Sequence, residues 1–265
     1  MEVVPLEDYV AAVLPGEIGN APPAALEAQA IAARSYAVAR AHRHEEDGAD
    51  LCDQTHCQGY RGRGAITPAS RRAAEATRGL VLVQDGRVIA APFHAVCGGH
   101  TARPRDVWDD EETPEIEPVE DDACLSAPGA NWTYFMPRRD VVVLGAAFGL
   151  RDAAFFEVFG RGKDGRVTMV RFASPGGKFV VVRGFDFRLK ASAFWGWSTV
   201  RSTAFSVEES RPGYLLTGHG TGHGAGLCQA GAIARAQRGE TRQQILSLYY
   251  RGATVQPVNA QARKR

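Results

Sequence analysis

The stretch P-A-A-L-E-A-Q-A-I-A-A-R-S-Y-A-V-A-R, residues 23–40, contains no glycine, and no proline after its first residue. Alanine has the highest helix propensity and proline fits the first turn of a helix, so the stretch predicts a long helix from Pro23 to about Arg43. Its small side chains predict close packing against neighbouring elements.

A second helix is predicted on the N-terminal side of the first. Its apolar residues follow the i, i+3, i+4, i+7, i+8 spacing of one helix face: Leu6, Tyr9, Val10, Val13 and Leu14. Pro15-Gly16 is expected to end this helix, which leaves a short break before Pro23. The break contains one carboxylate, Glu17.

The middle of the chain has the pattern of strands. Residues 80–96 alternate around Asp85-Gly86, which predicts a β-hairpin. Residues 103–130 are acidic and interrupted by prolines, which predicts a surface excursion. Residues 131–216 are strand-like.

Helical patterns return near the C-terminus, over residues 225–237 and again after Thr241, a residue suited to cap the last helix. Helices at both ends of the chain around a β-rich middle predict an α+β fold. We expect a single unit over residues 1–265, with a β-rich lobe at 131–216 within it.

Composition and charge exclude few classes of protein. The 31 basic and 30 acidic residues give a net charge of +1, so charge supplies no argument for a nucleic-acid or anionic-membrane partner. No apolar run approaches the ~20 residues of a membrane span. The N-terminus M-E-V-V-P-L-E-D-Y-V lacks the basic and apolar regions of a secretory signal, so we expect a cytoplasmic protein or one whose leader is missing.

Glu17 has two interpretations. As an acid just ahead of the long helix, it can cap the unpaired N–H groups of that helix. Alternatively it is a positioned general acid/base, which requires a pKa raised by an apolar pocket.

The glycine-rich stretch H-G-T-G-H-G-A-G, residues 219–226, carries His219 and His223 four positions apart. Its glycines disfavour a helix, and it lacks both the glutamate of an H-E-x-x-H zinc motif and the G-K-[ST] ending of a P-loop. We predict a loop whose glycines let backbone and imidazoles approach a ligand or another loop, with buried structural histidines as the alternative.

Four of the five cysteines raise specific possibilities, and they fall into two pairs. C-D-Q-T-H-C, residues 52–57, follows two histidines, and cysteine with histidine in one loop is the ligand chemistry of zinc. A local Cys52–Cys57 disulfide or free thiols are the alternatives. Cys97 lies in the turn C-G-G-H-T and has the chemistry of a nucleophile beside a histidine, whereas outside the cytoplasm a Cys97–Cys124 disulfide is expected.

Three blocks of this sequence resemble the SpoIID family, the stage II sporulation protein D and amidase-enhancer type of bacterial cell-wall protein. The blocks are D-Y-V-A-A-V-L-P-G-E-I with A-L-E-A-Q-A-I-A-A-R-S-Y-A-V within residues 8–38, C-G-G-H-T at 97–101, and G-H-G-T-G-H-G-A-G-L-C-Q-A-G-A at 218–232 continuing to Gly252. The resemblance implies a SpoIID-like α+β fold. It also implies a lytic transglycosylase that cleaves peptidoglycan strands stripped of stem peptides, and an extracytoplasmic location with the leader outside this chain.

The family's catalytic acid matches Glu17. A transglycosylase can use one carboxylate twice, first as the acid for the leaving oxygen and then as the base for the sugar's own C6 hydroxyl. A single glutamate is therefore sufficient, whereas a hydrolase needs two carboxylates. The alternative that the family implies is a non-enzymatic cell-wall-binding enhancer of an N-acetylmuramoyl-L-alanine amidase.

The resemblance also implies further site residues. Arg34 matches a family arginine that would hold a substrate oxygen or orient Glu17, with a surface or core-edge salt bridge as the alternative. His219, His223 and Gln229 match family positions and are expected to lie at the cleft and bind substrate. A structural zinc ion is expected on His44, Cys52, His56 and Cys57. The chain departs from the family pattern at Glu27, where a lysine is common, and at Cys228, where a serine is common.

Overall fold

The structure is a computed structural model that describes residues 2–54, 56–108 and 114–258. Its α-helices are α1 (Leu6–Glu17), α2 (Pro23–Ala39), α3 (Pro68–Ala76), α4 (Pro104–Val107), α5 (Arg138–Ala147), α6 (Gly184–Trp195), α7 (Gln229–Gln237) and α8 (Arg242–Tyr249). Its strands are β1 (Leu80–Gln84), β2 (Arg87–Val88), β3 (Phe93–His94), β4 (Gly99–His100), β5 (Glu120–Asp121), β6 (Asn131–Pro137), β7 (Phe155–Arg161), β8 (Val167–Ala173), β9 (Phe179–Arg183), β10 (Phe205–Ser210), β11 (Gly213–His219), β12 (Leu227–Cys228) and β13 (Thr254–Pro257).

This order confirms the predicted α+β fold, with helices at both ends of the chain. The strand-like interpretation of residues 131–216 is wrong at α5 and α6. The buried residues of α6 recur at helical spacing: Gly184, Phe187, Arg188, Ala191 and Ser192. In α6, helical burial against the neighbouring sheet therefore outweighs the strand preference of its aromatic residues.

The first helix does not end at Pro15-Gly16, as the sequence predicted. It continues to Glu17, and Ile18 and Gly19 both donate backbone hydrogen bonds to the Leu14 carbonyl. A proline in the last turn removes a single helical hydrogen bond, so the helix can end after it instead of at it. Glu17 is consequently the last residue of α1.

The predicted long helix begins at Pro23 as expected and ends at Ala39, four residues earlier than predicted. Its small residues are completely buried, among them Ala28, Ala30, Ala32 and Ala33. They pack α2 against α1, α3, β1, α7 and α8, in a hydrophobic core that joins the two ends of the chain. The predicted close packing of this helix is confirmed.

A second hydrophobic core lies within residues 132–216. It is enclosed by two three-stranded antiparallel sheets, ordered β7-β8-β9 and β10-β11-β6, together with α5 and α6. The β-rich lobe expected at 131–216 includes this core, and both the lobe and the expected single unit over 1–265 stay predictions.

The loops between the two cores bring distant segments together. The β1–β2 hairpin turns at Asp85 and Gly86, both with positive φ, as predicted. Strand β3 pairs in parallel with β12, which places the chain after Pro92 beside the chain before α7. The predicted helix over 225–237 begins only at Gln229, because its first residues form β12.

The acidic segment over 103–130 is not purely a surface excursion. Ile116 and Val119 are buried in the first core, and β5 pairs with β4.

Thr241 caps α8 as predicted, through a capping box with Gln244. No helix in the described part of the chain is both long enough and apolar enough to cross a membrane.

Candidate functional site

Glu17 is half-buried at the C-terminal end of α1, and its side chain does not cap α2. The N-cap of α2 is Pro22, which has no capping side chain, so the helix-cap interpretation of Glu17 is wrong. The carboxylate instead accepts a hydrogen bond from the backbone N–H of Gly59, with Oε1 2.5 Å from the nitrogen. A loop 42 residues further along the chain therefore holds this acid.

The contact depends on two glycines. A Cβ built on Gly16 would lie 2.4 Å from the Gly59 carbonyl oxygen, and one on Gly59 would lie 3.0 Å from Oε1 of Glu17. Any side chain at Gly16 would collide with the loop backbone. Arg61 lies against the same end of α1, with its Nε 3.2 Å from that Gly16 Cβ position.

Tyr9, about two turns before Glu17 on α1, joins this helix to the same loop. Its ring stacks on Tyr60 with centroids 5.3 Å apart, and its hydroxyl accepts from Gln58 Nε2 at 3.3 Å. Burial raises the pKa of Tyr9, and the nearby Cys57 and Glu17 raise it further, so the phenol stays protonated.

The four residues predicted to hold zinc lie in this same loop region and come together. His44, Cys52, His56 and Cys57 each place one ligand atom within 4.8 Å of all the others. Cys57 Sγ is 3.4 Å from His44 Nε2 and 3.8 Å from His56 Nδ1, and Cys52 Sγ is 3.8 Å from His56 Nδ1. Two thiols and two imidazoles around one point fit a Cys₂His₂ zinc site.

The surroundings of these four residues agree with that fit. His44 Nδ1 lies 3.0 Å from Asp47 Oδ2, the carboxylate–histidine pairing that commonly orients a metal-binding imidazole. Burial lowers the pKa of His56, so its imidazole is neutral near pH 7, which is the form that binds metal.

Arg34 lies elsewhere and differs from its predicted role. Its side chain is completely buried and forms a bidentate ion pair with Glu7, Nη2–Oε2 2.6 Å and Nε–Oε1 3.1 Å. It also donates to the carbonyl oxygens of Leu80 and Ala74. The predicted substrate contact of Arg34 is therefore corrected to a structural ion pair that joins α1, α2 and α3.

The three remaining predicted substrate residues do not share one environment. His219 is exposed, with its Nδ1 2.9 Å from Asn131 Oδ1, and it lines a groove of about 310 Å³ with His100 and Arg166. His223 packs under Trp108, with ring centroids 4.7 Å apart. Gln229 is buried, with its Nε2 3.5 Å from Gln29 Oε1 of α2.

The glycine-rich loop after His219 approaches another loop, which is one of the predicted interpretations. Gly220, Gly222, Gly224 and Gly226 all have positive φ. A Cβ on Gly226 would lie 2.0 Å from the Pro92 carbonyl oxygen, so the loop is packed directly on the segment that carries His94. Burial lowers the pKa of His94 to about 3, and burial also lowers the pKa of His223, so both imidazoles are neutral.

Cys97 is 1% exposed, so substrate cannot reach its sulfur as the interpretation of Cys97 as a nucleophile requires. Its Sγ lies 3.2 Å from that of Cys124, and both cysteines are free. The predicted pair is therefore adjacent, but at a distance longer than the ~2.05 Å of a disulfide bond. The expected Cys97–Cys124 disulfide is absent from the described structure.

Glu27, where the family commonly has lysine, pairs with Arg242 of α8 at 2.7 Å. This position therefore ties α2 to α8.

The sequence analysis assigned no role at the site to Gly59 or Tyr9. Gly59 donates to the Glu17 carboxylate, and Tyr9 joins α1 to the loop that contains Gly59. The position of Gly59, two residues after Cys57, is the signal that could have identified it.

Comparison with known proteins finds a matching family model and several similar proteins. A family model described as SpoIID, stage II sporulation protein, matches residues 1–84. An uncharacterized protein of Brachyspira hyodysenteriae (strain ATCC 49526 / WA1) is 30% identical over 258 residues, which cover 96% of this chain and 67% of that protein.

Two Bacillus subtilis (strain 168) proteins are 24% identical to this chain. The amidase enhancer aligns over 290 residues, which cover 91% of this chain and 40% of the enhancer, so the chain spans well under half of that relative. Stage II sporulation protein D aligns over 282 residues, which cover 98% of this chain and 77% of that protein.

Proposed function

Because the chain belongs to the SpoIID family, we propose that it is a lytic transglycosylase that cleaves peptidoglycan strands stripped of stem peptides. The bond broken is the one between N-acetylmuramic acid and N-acetylglucosamine, and Glu17 is the general acid/base. The observation that carries the proposal is the half-exposed Glu17 carboxylate, held in place by the Gly59 N–H.

The reaction needs one carboxylate. Protonated Glu17 donates its proton to the glycosidic oxygen as the bond from C1 of the muramic acid breaks, so N-acetylglucosamine leaves with a hydroxyl group. The C6 hydroxyl of the same muramic acid then attacks C1, and the Glu17 carboxylate takes the proton released. The product is a 1,6-anhydro sugar, water is not consumed, and Glu17 is protonated again.

The hydrogen bond from Gly59 serves this cycle by fixing the direction of the carboxylate. A general acid must lie within hydrogen-bond reach of the oxygen that it protonates, so its orientation matters as much as its acidity. Tyr9 and Tyr60 stack beside this contact and limit the movement of the loop.

We also propose that His44, Cys52, His56 and Cys57 hold a structural zinc ion. Bound zinc would supply a tetrahedral crosslink within the loop. Cys57 is followed by Gln58, which donates to the Ala33 carbonyl of α2 at 3.2 Å, and then by Gly59. Ordering this loop therefore supports the hydrogen bond to Glu17.

Glu17→Gln tests the proposed activity. The variant protein should release no anhydro-sugar products from peptide-free glycan strands, as measured by mass spectrometry, because an amide cannot donate and recover the proton. Glu75→Gln, an exposed change on α3, is the matched control and should retain full activity. Retained cleavage by a folded Glu17→Gln variant would refute the proposed role of Glu17.

The name of the Bacillus subtilis amidase enhancer, of which this chain covers 40%, supports a second candidate. That candidate is stimulation of a cell-wall amidase without cleavage of glycan. Under this alternative, the purified wild-type chain releases nothing from glycan strands. It should then raise the rate of an N-acetylmuramoyl-L-alanine amidase on intact peptidoglycan, and Glu17→Gln should do so equally well.

Both candidates act on peptidoglycan, so we infer that the protein works outside the cytoplasmic membrane, in the periplasm or cell envelope. Fractionation of cells with an antibody against the chain measures this location. Recovery of all the protein with the cytoplasmic fraction would contradict the inference.

A further inference from the structure

A second cluster of thiols lies away from Glu17 and the Cys/His loop. It contains Cys97, Asp121, Cys124 and Cys228, which come from three segments of the chain. Cys97 precedes β4, Asp121 ends β5, Cys124 lies in the 3₁₀ turn that follows, and Cys228 ends β12. Pairing of β4 with β5 and of β3 with β12 brings them together.

All four side chains are buried, and their ligand atoms lie within 4.8 Å of one another. Cys97 Sγ is 3.2 Å from Cys124 Sγ and 3.7 Å from Asp121 Oδ2. A tetrahedral zinc ion with bonds of ~2.3 Å to sulfur places its sulfur ligands roughly 3.8 Å apart. The Cys97–Cys124 sulfur distance is shorter than this, and the Cys97–Asp121 distance is close to it, so the cluster approaches the spacing of a four-coordinate site.

Backbone N–H groups point at the sulfurs. Cys228 Sγ accepts from the N–H of Cys97 at 3.2 Å and from the N–H of Gly231 at 3.3 Å. Such donors favour anionic sulfur, and an anionic sulfur in a buried position needs a cation beside it.

The carboxylate of Asp121 is oriented from outside the cluster. Arg235 Nη2 donates to its Oδ1 at 2.9 Å, and the Tyr249 hydroxyl donates to its Oδ2 at 2.6 Å. A metal-binding carboxylate is commonly held by such outer hydrogen bonds. The buried Arg166, which donates to the Cys97 carbonyl at 2.6 Å, places a second positive charge beside the cluster, in addition to that of Arg235.

We propose that Cys97, Cys124, Cys228 and Asp121 form a second metal site, one that takes zinc or another soft divalent ion. Thiolate ligands select such ions, and three sulfurs with one carboxylate complete a closed tetrahedral shell without an open position for substrate. The ion would lock β4, β5 and the start of α7 together, below the wall of the groove lined by Cys97, Gly98 and His219.

A disulfide between Cys97 and Cys124 is the competing use of these residues. It would leave Cys228 with two N–H donors directed at a neutral thiol. The four-residue arrangement is accounted for by a metal ion and only in part by a disulfide. The proposal does not depend on the activity of Glu17.

The test uses the full chain carrying Cys52→Ala and Cys57→Ala, which removes both thiols of the Cys/His loop. Protein is made in zinc-supplemented medium and purified with a phosphine reductant and without chelator. Elemental analysis should find about one zinc per chain, and X-ray absorption should show about three sulfur neighbours. Adding Cys124→Ser should reduce the bound zinc to near zero.

Tyr249→Phe is the matched control, because it removes a hydrogen bond to Asp121 but no ligand. It should keep the ion with an affinity about 10- to 100-fold weaker, measured by competition with a zinc-binding dye. A folded parent protein that carries no metal, with the three thiols free or Cys97 linked to Cys124, overturns the proposal. Zinc with two or fewer sulfur neighbours overturns it as well, whether or not the Cys124→Ser variant folds.

Discussion

Replacing Arg34 with alanine should destabilise the protein severely without acting on substrate directly. The guanidinium is completely buried and makes both hydrogen bonds of the Glu7 ion pair as well as those to Leu80 and Ala74. Glu7, whose side chain is 18% exposed, would be left with the Gly79 N–H as its remaining hydrogen bond among the described residues. Breaking a buried pair from one side costs about 3–5 kcal/mol.

Urea unfolding at 25 °C measures this loss. With a denaturant slope of about 2 kcal/mol per molar, a loss of about 4 kcal/mol lowers the midpoint by roughly 2 M. Arg242→Ala is the matched control, since its pair with Glu27 is more exposed and also ties down α2. That change should cost about 0.2–1 kcal/mol, or less than roughly 0.5 M in the midpoint.

A double variant, Arg34→Met with Glu7→Gln, separates the pair from the packing around it. Removing both charges should be milder than Arg34→Ala alone, because no uncompensated buried charge remains. The reasoning is refuted if Arg34→Ala unfolds at the same urea concentration as the control while losing its affinity for glycan strands. That result would restore the substrate contact that the sequence predicted.

Three further outcomes are expected. Gly16→Ala should lower the rate of glycan cleavage by up to about 10²-fold. The added Cβ would lie 2.4 Å from the Gly59 carbonyl oxygen and would displace the loop that orients Glu17. Gly64→Ala is the control and should have no effect, because that position faces open space. His94 should make folding stability fall by about 2 kcal/mol between pH 7.5 and pH 5. Its pKa is about 3 in the folded protein and about 6.5 in the unfolded chain, so only the unfolded state takes up a proton over this range. The contribution of His94 to stability therefore rises with pH. A His94→Gln variant whose denaturation midpoint changes as much with pH as that of wild type would contradict this. Cys52→Ser should cost one equivalent of bound zinc and speed amide exchange at Gly59; unchanged zinc content and exchange would reject a zinc ion on the Cys/His loop.

Local sequence determined much of the scaffold. Proline at position 23 followed by alanine-rich sequence is sufficient to begin α2 at the observed residue, and Asp85-Gly86 is sufficient to place the hairpin turn, because both depend on the preferences of adjacent residues. The ligands His44, Cys52, His56 and Cys57 also lie within 14 residues of one another, so a single loop can bring them together.

Tertiary structure decided the features that depend on contacts between distant segments. Glu17 is oriented by Gly59, and the partner of Arg34 is Glu7, although nothing near either residue in the sequence indicates it. The thiol cluster is the clearest example, since Cys97 and Cys228 are 131 residues apart and meet only because β3 pairs with β12. Helix propensity and turn chemistry act over a few residues, whereas burial and hydrogen bonding select partners in space, so the chain's sequence alone predicts the elements better than the contacts between them.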